Sequence, residues 1–94
     1  MELSERYIQK LEDEGFSHVC DEQDDPGKIY KEHECQNKVS LIITDGSLEV
    51  ILDNEVKRLS THDRLDIHPQ TKLSAVVGPE GCGYVVGEMI KGDF

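Results

Sequence analysis

The chain has 94 residues, with 20 acidic and 10 basic side chains and a formal net charge of −10. This length is sufficient for one domain with one modest hydrophobic core, so we expect a single domain over residues 1–94. An acidic surface repels phosphate backbones and anionic membranes, which argues against nucleic-acid binding and peripheral membrane binding.

The N-terminal segment is charged throughout and lacks the apolar stretch of a secretory signal. No stretch approaches the roughly 18 apolar residues that cross a bilayer. We therefore expect a cytoplasmic protein. The three cysteines, Cys20, Cys35 and Cys82, are then expected to be free thiols in a reducing compartment, with one disulfide as the alternative.

A short helix is predicted over about residues 4–14. Ser4 can cap its first turn, and Gly15 is typical of the residue that follows a helix end. An apolar stripe at helical spacing lies between them, formed by Tyr7, Ile8 and Leu11. An isolated helix of this length is marginally stable, so the stripe is expected to dock on the rest of the chain.

The acidic segment DEQDDPG, residues 21–27, predicts a solvated turn. Its carboxylate spacing resembles that of a calcium-binding loop. However, Pro26 occupies the position at which such a loop needs glycine for a sharp turn, and no helix pattern follows. We therefore do not predict a calcium site.

From Ile29 onward the pattern is that of β-strands, which alternate with turn signals. Asp45 and Gly46 predict a hairpin turn, and Asp53 and Asn54 predict another. The segment GPEGCG, residues 78–83, is interpreted as a third turn. This spacing gives about eight short strands, which is typical of a β-sandwich or small barrel over about residues 16–90.

The chain resembles the small single-domain cupins, which have the double-stranded β-helix or jelly-roll fold. The resemblance runs from LEDEGF through DDPGKIYKEH, TDGSLEVILDNEVKRL and HDRLDI to SAVVGPEGCGYVVG. It therefore implies an all-β cupin barrel preceded by a short N-terminal helix. Homodimers are common in this family, so the resemblance also implies a homodimer.

The first cupin motif contains two histidines separated by one residue, then a glutamate and a glycine. In this chain His33 matches the first histidine and Gly46 the glycine. Cys35 stands in place of the second histidine, and Val39 in place of the glutamate. One of the family's metal ligands is thus kept, one is a thiol and one is hydrocarbon.

The second cupin motif has a Gly-Asp turn, a second glycine turn and a third metal-binding histidine. Asp63 keeps the acid, while His62 and Gln70 replace the two glycines. The position of the third histidine falls on Leu73, or on Ser74 if the loop is one residue longer. We expect His62 to be a turn residue with positive φ rather than a catalytic base.

Residues two apart in a strand face the same way, so His33 and Cys35 are expected to share the inner face of the barrel. A first-row transition metal needs three or four ligands in a suitable geometry. Because Val39 and Leu73 provide only hydrocarbon, no metal or other cofactor is expected. The alternative is a zinc, iron, nickel or manganese ion held by His33, Cys35 and a third ligand.

Two sources of additional ligands remain open. Either His18 or His62 could reach the pair from outside the family pattern. Alternatively, His18 and Cys20 repeat the spacing of His33 and Cys35, and the two pairs could form a site with two nitrogens and two sulfurs. The simpler interpretation treats the thiols as small apolar side chains.

The expected function is that of a non-catalytic cupin, with a barrel that is either filled by side chains or binds a small molecule. The candidate ligand-binding residues are His33, Cys35, Val39 and Leu73. The alternative is a small metal-dependent enzyme of the dioxygenase or isomerase type. A third class is an interaction protein that pairs through an exposed strand edge.

Overall fold

A computed structural model of the chain describes residues 2–90, which form one helix and six β-strands. Their bounds in chain order are α1 Leu3–Asp13, β1 His18–Asp24, β2 Ile29–Glu34, β3 Lys38–Leu52, β4 Glu55–Ser60, β5 Arg64–Ile67 and β6 Lys72–Met89. All strand pairs are antiparallel. The predicted class, all-β with a short N-terminal helix, is confirmed.

Helix α1 ends as predicted but begins differently. The predicted cap at Ser4 is wrong, because Glu2 is the N-cap and its carbonyl already accepts a helical hydrogen bond from the N–H of Arg6. At the other end, Gly15 has a φ of 102° and donates its N–H to the carbonyl of Glu12. The N–H of Phe16 reaches back to Leu11, which completes a Schellman motif.

Strands β3 and β6 are long, and each contains a position that was predicted to be a turn. The chain does not reverse at Asp45 and Gly46 but bends within β3, where its register against β6 shifts. Gly46 and Gly81 both have positive φ, and a Cβ atom on Gly46 would overlap the Gly81 carbonyl oxygen. The hairpin prediction at Asp45 and the turn prediction at 78–83 are therefore wrong. Glycine here permits two backbones to cross closely.

The two bent strands are shared by two layers. The first layer contains β1, residues 82–89 of β6, residues 38–46 of β3, and β5. The second contains β2, residues 72–77 of β6, residues 48–52 of β3, and β4. The described residues therefore contain six strands, whereas about eight were predicted. The difference arises because β3 and β6 each join two segments that were predicted to be separate strands.

The turns that carry positive φ connect these strands. Asp53 and Asn54 have φ values of 47° and 68°, so the predicted two-residue hairpin between β3 and β4 is confirmed. His62 has a φ of 77° and Gln70 a φ of 66°. Both therefore adopt the backbone conformation that suits glycine, and the predicted positive φ of His62 is confirmed.

Two hydrophobic clusters stabilise this arrangement. The larger lies between the layers and includes Ile43, Leu48, Val50, Val77 and Cys82. The smaller forms where α1 covers the outer face of the first layer, and its buried members are Leu11, Phe16, Ile42 and Val85. The predicted helical stripe also contributes here, since Tyr7 and Ile8 contact this cluster.

Polar contacts also connect the helix to the first layer. Arg64 donates two hydrogen bonds to the Glu14 carboxylate, at 2.6 and 2.8 Å. Its Nε atom donates to Asp66, which also accepts a hydrogen bond from the buried Ser40 hydroxyl. Within residues 2–90, no helix is both long and apolar enough to cross a membrane.

Candidate functional site

A cavity of about 530 Å³ lies between the two layers. Both layers contribute apolar side chains to its walls, among them Val39, Leu41, Leu48, Val50, Leu73, Ala75 and Val86. Polar side chains surround the rest of the cavity. They come from β1, β2, β6, the β1–β2 connection and the β2–β3 connection. The barrel is therefore not filled by its own side chains.

Strand β2 brings His33 to the cavity through a β-bulge. Tyr30 pairs with Ala75 and His33 with Leu73, so two residues of β2 lie opposite the single residue Ser74. The bulge places Tyr30 and His33 on the same inner face although they are three residues apart. His33 is exposed, and its Nδ1 atom lies 3.0 Å from the Lys31 carbonyl oxygen. Because a carbonyl can only accept, Nδ1 donates, and Nε2 of the neutral ring is left as an acceptor.

All four residues predicted for the barrel interior line the cavity, namely His33, Cys35, Val39 and Leu73. Backbone hydrogen bonds hold Cys35 against the loop before β6, through the Thr71 carbonyl and the Gln70 N–H. The Cys35 thiol is half-buried, and its burial together with the nearby Glu88 charge raises its pKa. Cys35 is therefore a neutral thiol at physiological pH.

The polar centre of the cavity is formed by Asp24, Tyr30 and Tyr84, which were not predicted as site residues from the sequence. Asp24 Oδ2 accepts hydrogen bonds from the hydroxyl of Tyr30 at 2.6 Å and of Tyr84 at 3.0 Å. Lys28 Nζ lies 3.4 Å from Oδ1 of the same carboxylate and 4.8 Å from the centre of the Tyr30 ring. We call these four residues the Asp24 cluster.

The prediction of a solvated turn over residues 21–27 concealed this cluster. Strand β1 continues to Asp24, and the turn begins only afterwards. Asp24 pairs with the buried Cys82, and Glu22 pairs with Tyr84, so these side chains alternate toward the cavity. The inward alternation of Tyr84, Val86 and Glu88 along β6 is the sequence signal that points to the same face.

The contacts within the Asp24 cluster shift the pKa values of Asp24, Tyr84 and Lys28. Burial by itself raises the pKa of Asp24, but the hydrogen bonds from Tyr30, Tyr84 and Lys28 outweigh it, so the net pKa is lowered. Burial and the contacts with Tyr30 and Asp24 raise the pKa of Tyr84 far above its ordinary value. At neutral pH Asp24 is therefore a carboxylate, Tyr84 is a phenol, and Lys28, whose pKa is raised by its contacts with Tyr30 and Asp24, is an ammonium group.

Two further carboxylates lie on the inner face of the first layer. Glu88 pairs with Val39 across the sheet, and its Oε1 atom accepts a hydrogen bond of 2.7 Å from Asn37. Glu22 accepts a weak hydrogen bond from the Cys20 thiol. Both glutamates line the cavity.

The residues that line the cavity do not fit the metal site of the cupins that the chain resembles. Val39 and Leu73 present hydrocarbon where that family has a glutamate and a histidine. Among residues 2–90, no three side chains of histidine, cysteine, aspartate or glutamate converge on a point where an ion could be held. The alternative site made from His18, Cys20, His33 and Cys35 is therefore not formed.

His62 and His68 lie outside the cavity. The ring of His62 contacts the Tyr7 hydroxyl, with Nδ1 at 2.8 Å, and takes no part in the cavity. His68 is exposed in the loop before β6. The three cysteines are free: Cys20 is exposed, Cys35 is half-buried and Cys82 is buried in the larger hydrophobic cluster.

No protein-family model and no curated protein matches the chain. Solved structures do match it. An RmlC-like cupin from Shewanella frigidimarina is similar with a TM-score of 0.69 and 19% identity, over 85% of this chain and 72% of that one. KdgF from a Halomonas species has a TM-score of 0.65 and 22% identity, over 80% and 70% of the two chains.

A variant of oxalate decarboxylase from Bacillus subtilis has a TM-score of 0.73 and 16% identity, over 93% of this chain but 24% of the enzyme. At such identities a similarity is informative about fold and not about activity. These TM-scores show that the chain has the cupin fold.

Proposed function

Because the chain has the cupin fold, we propose that it is a non-catalytic binding protein that holds a small organic molecule between its two β-layers. The observation that supports this proposal is the cavity itself. Its volume of about 530 Å³ lies within the range that is typical of small-molecule sites, about 300–1,000 Å³. Apolar walls with a few fixed polar groups are also typical of such sites.

The chemistry of the cavity argues against a metal-dependent reaction. Two of the four positions that carry ligands in the resembling family are hydrocarbon here, and the Cys35 pKa is raised. A thiol must lose its proton to bind a metal well, so the burial and the Glu88 charge that raise this pKa oppose coordination.

Acid–base catalysis by the Asp24 cluster is also disfavoured. Tyr84 holds its proton at neutral pH because its pKa is raised, and Asp24 is a weak base because its pKa is lowered. A general acid or base works best with a pKa near the working pH. The cluster therefore suits the orientation of a ligand better than proton transfer.

A fragment library with cationic, neutral and anionic members tests the binding function. We expect some members to shift the backbone amide NMR signals of residues that line the cavity. The variant Ala75→Leu fills the cavity from its wall and should weaken this binding at least about tenfold. Val76→Leu is the matched control, because Val76 is the next residue of β6 and is exposed on the opposite face.

Circular dichroism establishes that each variant is folded, and Ala75→Val provides a smaller change if the leucine variant unfolds. The proposal is overturned if no fragment perturbs the cavity residues, or if folded Ala75→Leu binds as tightly as the original protein.

Metal analysis tests the alternative. We expect the purified protein to contain less than one metal ion per chain, and His33→Ala to leave that amount unchanged. Stoichiometric zinc, iron, nickel or manganese that disappears in His33→Ala would favour the metal-dependent enzyme instead.

A further inference from the structure

We infer that the cavity selects an organic cation, a molecule with an apolar body and a protonated amine. This inference rests on the proposed binding function and adds the chemical class of the ligand. Three features of the cavity carry it: the sign of its charge, the surplus of hydrogen-bond acceptors, and the apolar walls that face them.

The charged groups on the inner face are mostly carboxylates. Asp24, Glu22 and Glu88 alternate inward on β1 and β6, and Lys28 is the ammonium group that lies among them. Lys28 is already placed beside Asp24, at 3.4 Å. Among residues 2–90, neither Glu22 nor Glu88 takes part in an ion pair. A cationic ligand would neutralise them, whereas an anionic ligand would be repelled.

The hydrogen-bonding groups of the cavity point to the same class. The hydroxyls of Tyr30 and Tyr84 both donate their single proton to Asp24, so their oxygens offer only lone pairs to a ligand. Asn37 directs its amide N–H to Glu88 Oε1, which leaves Oε2 as an acceptor. In a neutral His33 ring Nε2 is a further acceptor, because Nδ1 then donates to the Lys31 carbonyl oxygen.

The two tyrosine hydroxyls thus have no proton left for a ligand, and the acceptors that remain include Glu22, Glu88 and His33. An ammonium group has three N–H donors and no lone pair, so it matches this arrangement. A carboxylate has acceptors alone, so it could not form hydrogen bonds with these acceptor groups, which is costly in a partly buried site. The apolar walls of both layers would contact the hydrocarbon part of the ligand.

Benzylamine, benzyl alcohol and benzoate provide a matched test, because they are similar in size and differ in charge. Their dissociation constants are measured by NMR titration at neutral pH and low salt, using the amide signals of cavity residues. We expect benzylamine to bind at least about tenfold more tightly than benzyl alcohol, and benzoate to bind most weakly.

A variant pair separates the local field from the overall negative charge of the chain. Glu88→Gln removes a charge that lines the cavity and should reduce the ratio of the benzylamine and benzyl alcohol affinities about fivefold. Glu49→Gln removes the same charge from the outer face of the second layer, where Glu49 contacts Arg58. It should leave that ratio unchanged.

The possible results distinguish the two proposals. If all three compounds bind in the cavity with equal affinity, or benzoate binds best, the binding function stands and the cationic class is overturned. An equal effect of Glu88→Gln and Glu49→Gln would also overturn the cationic class, because the preference would then reflect net charge alone. If benzylamine does not perturb the cavity residues, the cationic class is overturned, whereas the binding function fails only if the whole fragment library also leaves those residues unperturbed.

Discussion

Tyr84 donates a hydrogen bond of 3.0 Å to Asp24, a residue 60 positions earlier in the chain. This bond joins β6 to the end of the edge strand β1. A second hydrogen bond, donated by the Tyr30 hydroxyl, joins β2 to the same carboxylate. One buried carboxylate therefore connects strands of both layers at the side of the cavity. Its role in stability and its role in ligand binding can be measured separately.

We predict that Tyr84→Phe lowers the free energy of unfolding by about 2 kcal/mol, because it removes a partly buried hydrogen bond to a charged acceptor. Tyr7→Phe is the control. It removes an exposed hydroxyl contact with His62 and should cost about 0.5 kcal/mol or less. Urea denaturation of the three proteins measures both values. Equal losses in the two variants would show that the Asp24 cluster contributes no special stability.

Glu14 is predicted to make the fold sensitive to acid. The hydrogen bonds and charge of Arg64 lower the pKa of Glu14 to about 2, from 4.5. Because the folded pKa lies below the unfolded pKa, the stabilising contribution of Glu14 is complete above about pH 5 and is lost as the pH falls toward the folded value. Glu14→Gln should therefore be less stable than the original protein at neutral pH, and this difference should shrink in acid.

Urea denaturation across that pH range checks the expectation. Glu12→Gln is the control, since it removes the same charge from α1 while Arg64 keeps its ion pairs with Glu14 and Asp66. A stability difference between Glu14→Gln and the original protein that does not change with pH would contradict the expected dependence of stability on the ionisation of Glu14.

The crossing of β3 and β6 is predicted to depend on glycine at position 46. In Gly46→Ala the new methyl group would overlap the Gly81 carbonyl oxygen at a residue whose φ is 74°. The expected loss of stability is at least about 3 kcal/mol. Gly27→Ala has a similar φ of 77° but no atom within 4 Å of the added carbon, so it should cost only about 1 kcal/mol.

Thermal and urea denaturation of both glycine variants separate the effect of backbone conformation from that of close approach. If the two variants lose equal stability, the contact between Gly46 and Gly81 is not what requires glycine.

The three cysteines are predicted to react with iodoacetamide in the order Cys20, Cys35, Cys82. Cys20 is exposed, Cys35 is half-buried, and burial raises the pKa of Cys82 to about 11. The thiolate is the reactive form, so Cys82 should be modified only after unfolding. Peptide mass spectrometry after timed alkylation at pH 8 and in denaturant measures the order. Modification of Cys82 in the native state as fast as Cys20 would contradict it.

Much of the local structure was predictable because it depends on short-range preferences. Gly15 ends α1 through its positive φ, and Asp53 and Asn54 form a two-residue hairpin, as their types indicate. The same backbone preference explains why Asp45 and Gly46 misled the prediction. A residue pair that permits a reversal also permits a bend, and only the pairing of β3 with β6 decides between them.

The expected homodimer stays a prediction, as does the cytoplasmic location. The outer face of the second layer carries four exposed apolar side chains, Ile29, Ile51, Val56 and Val76. Sedimentation measurements on the purified protein would determine its oligomeric state.

The residues alone were sufficient to predict the strand alternation, the positive φ of Gly15, Asp53, Asn54 and His62, and the hydrocarbon at Val39 and Leu73. These features follow from residue type and from the two-residue period of a strand. The packing of the strands is needed to show that the layers leave a cavity between them and that Asp24, Tyr30 and Tyr84 meet beside it. Such a meeting requires three strands to be placed in register over long sequence separations, which no local preference specifies.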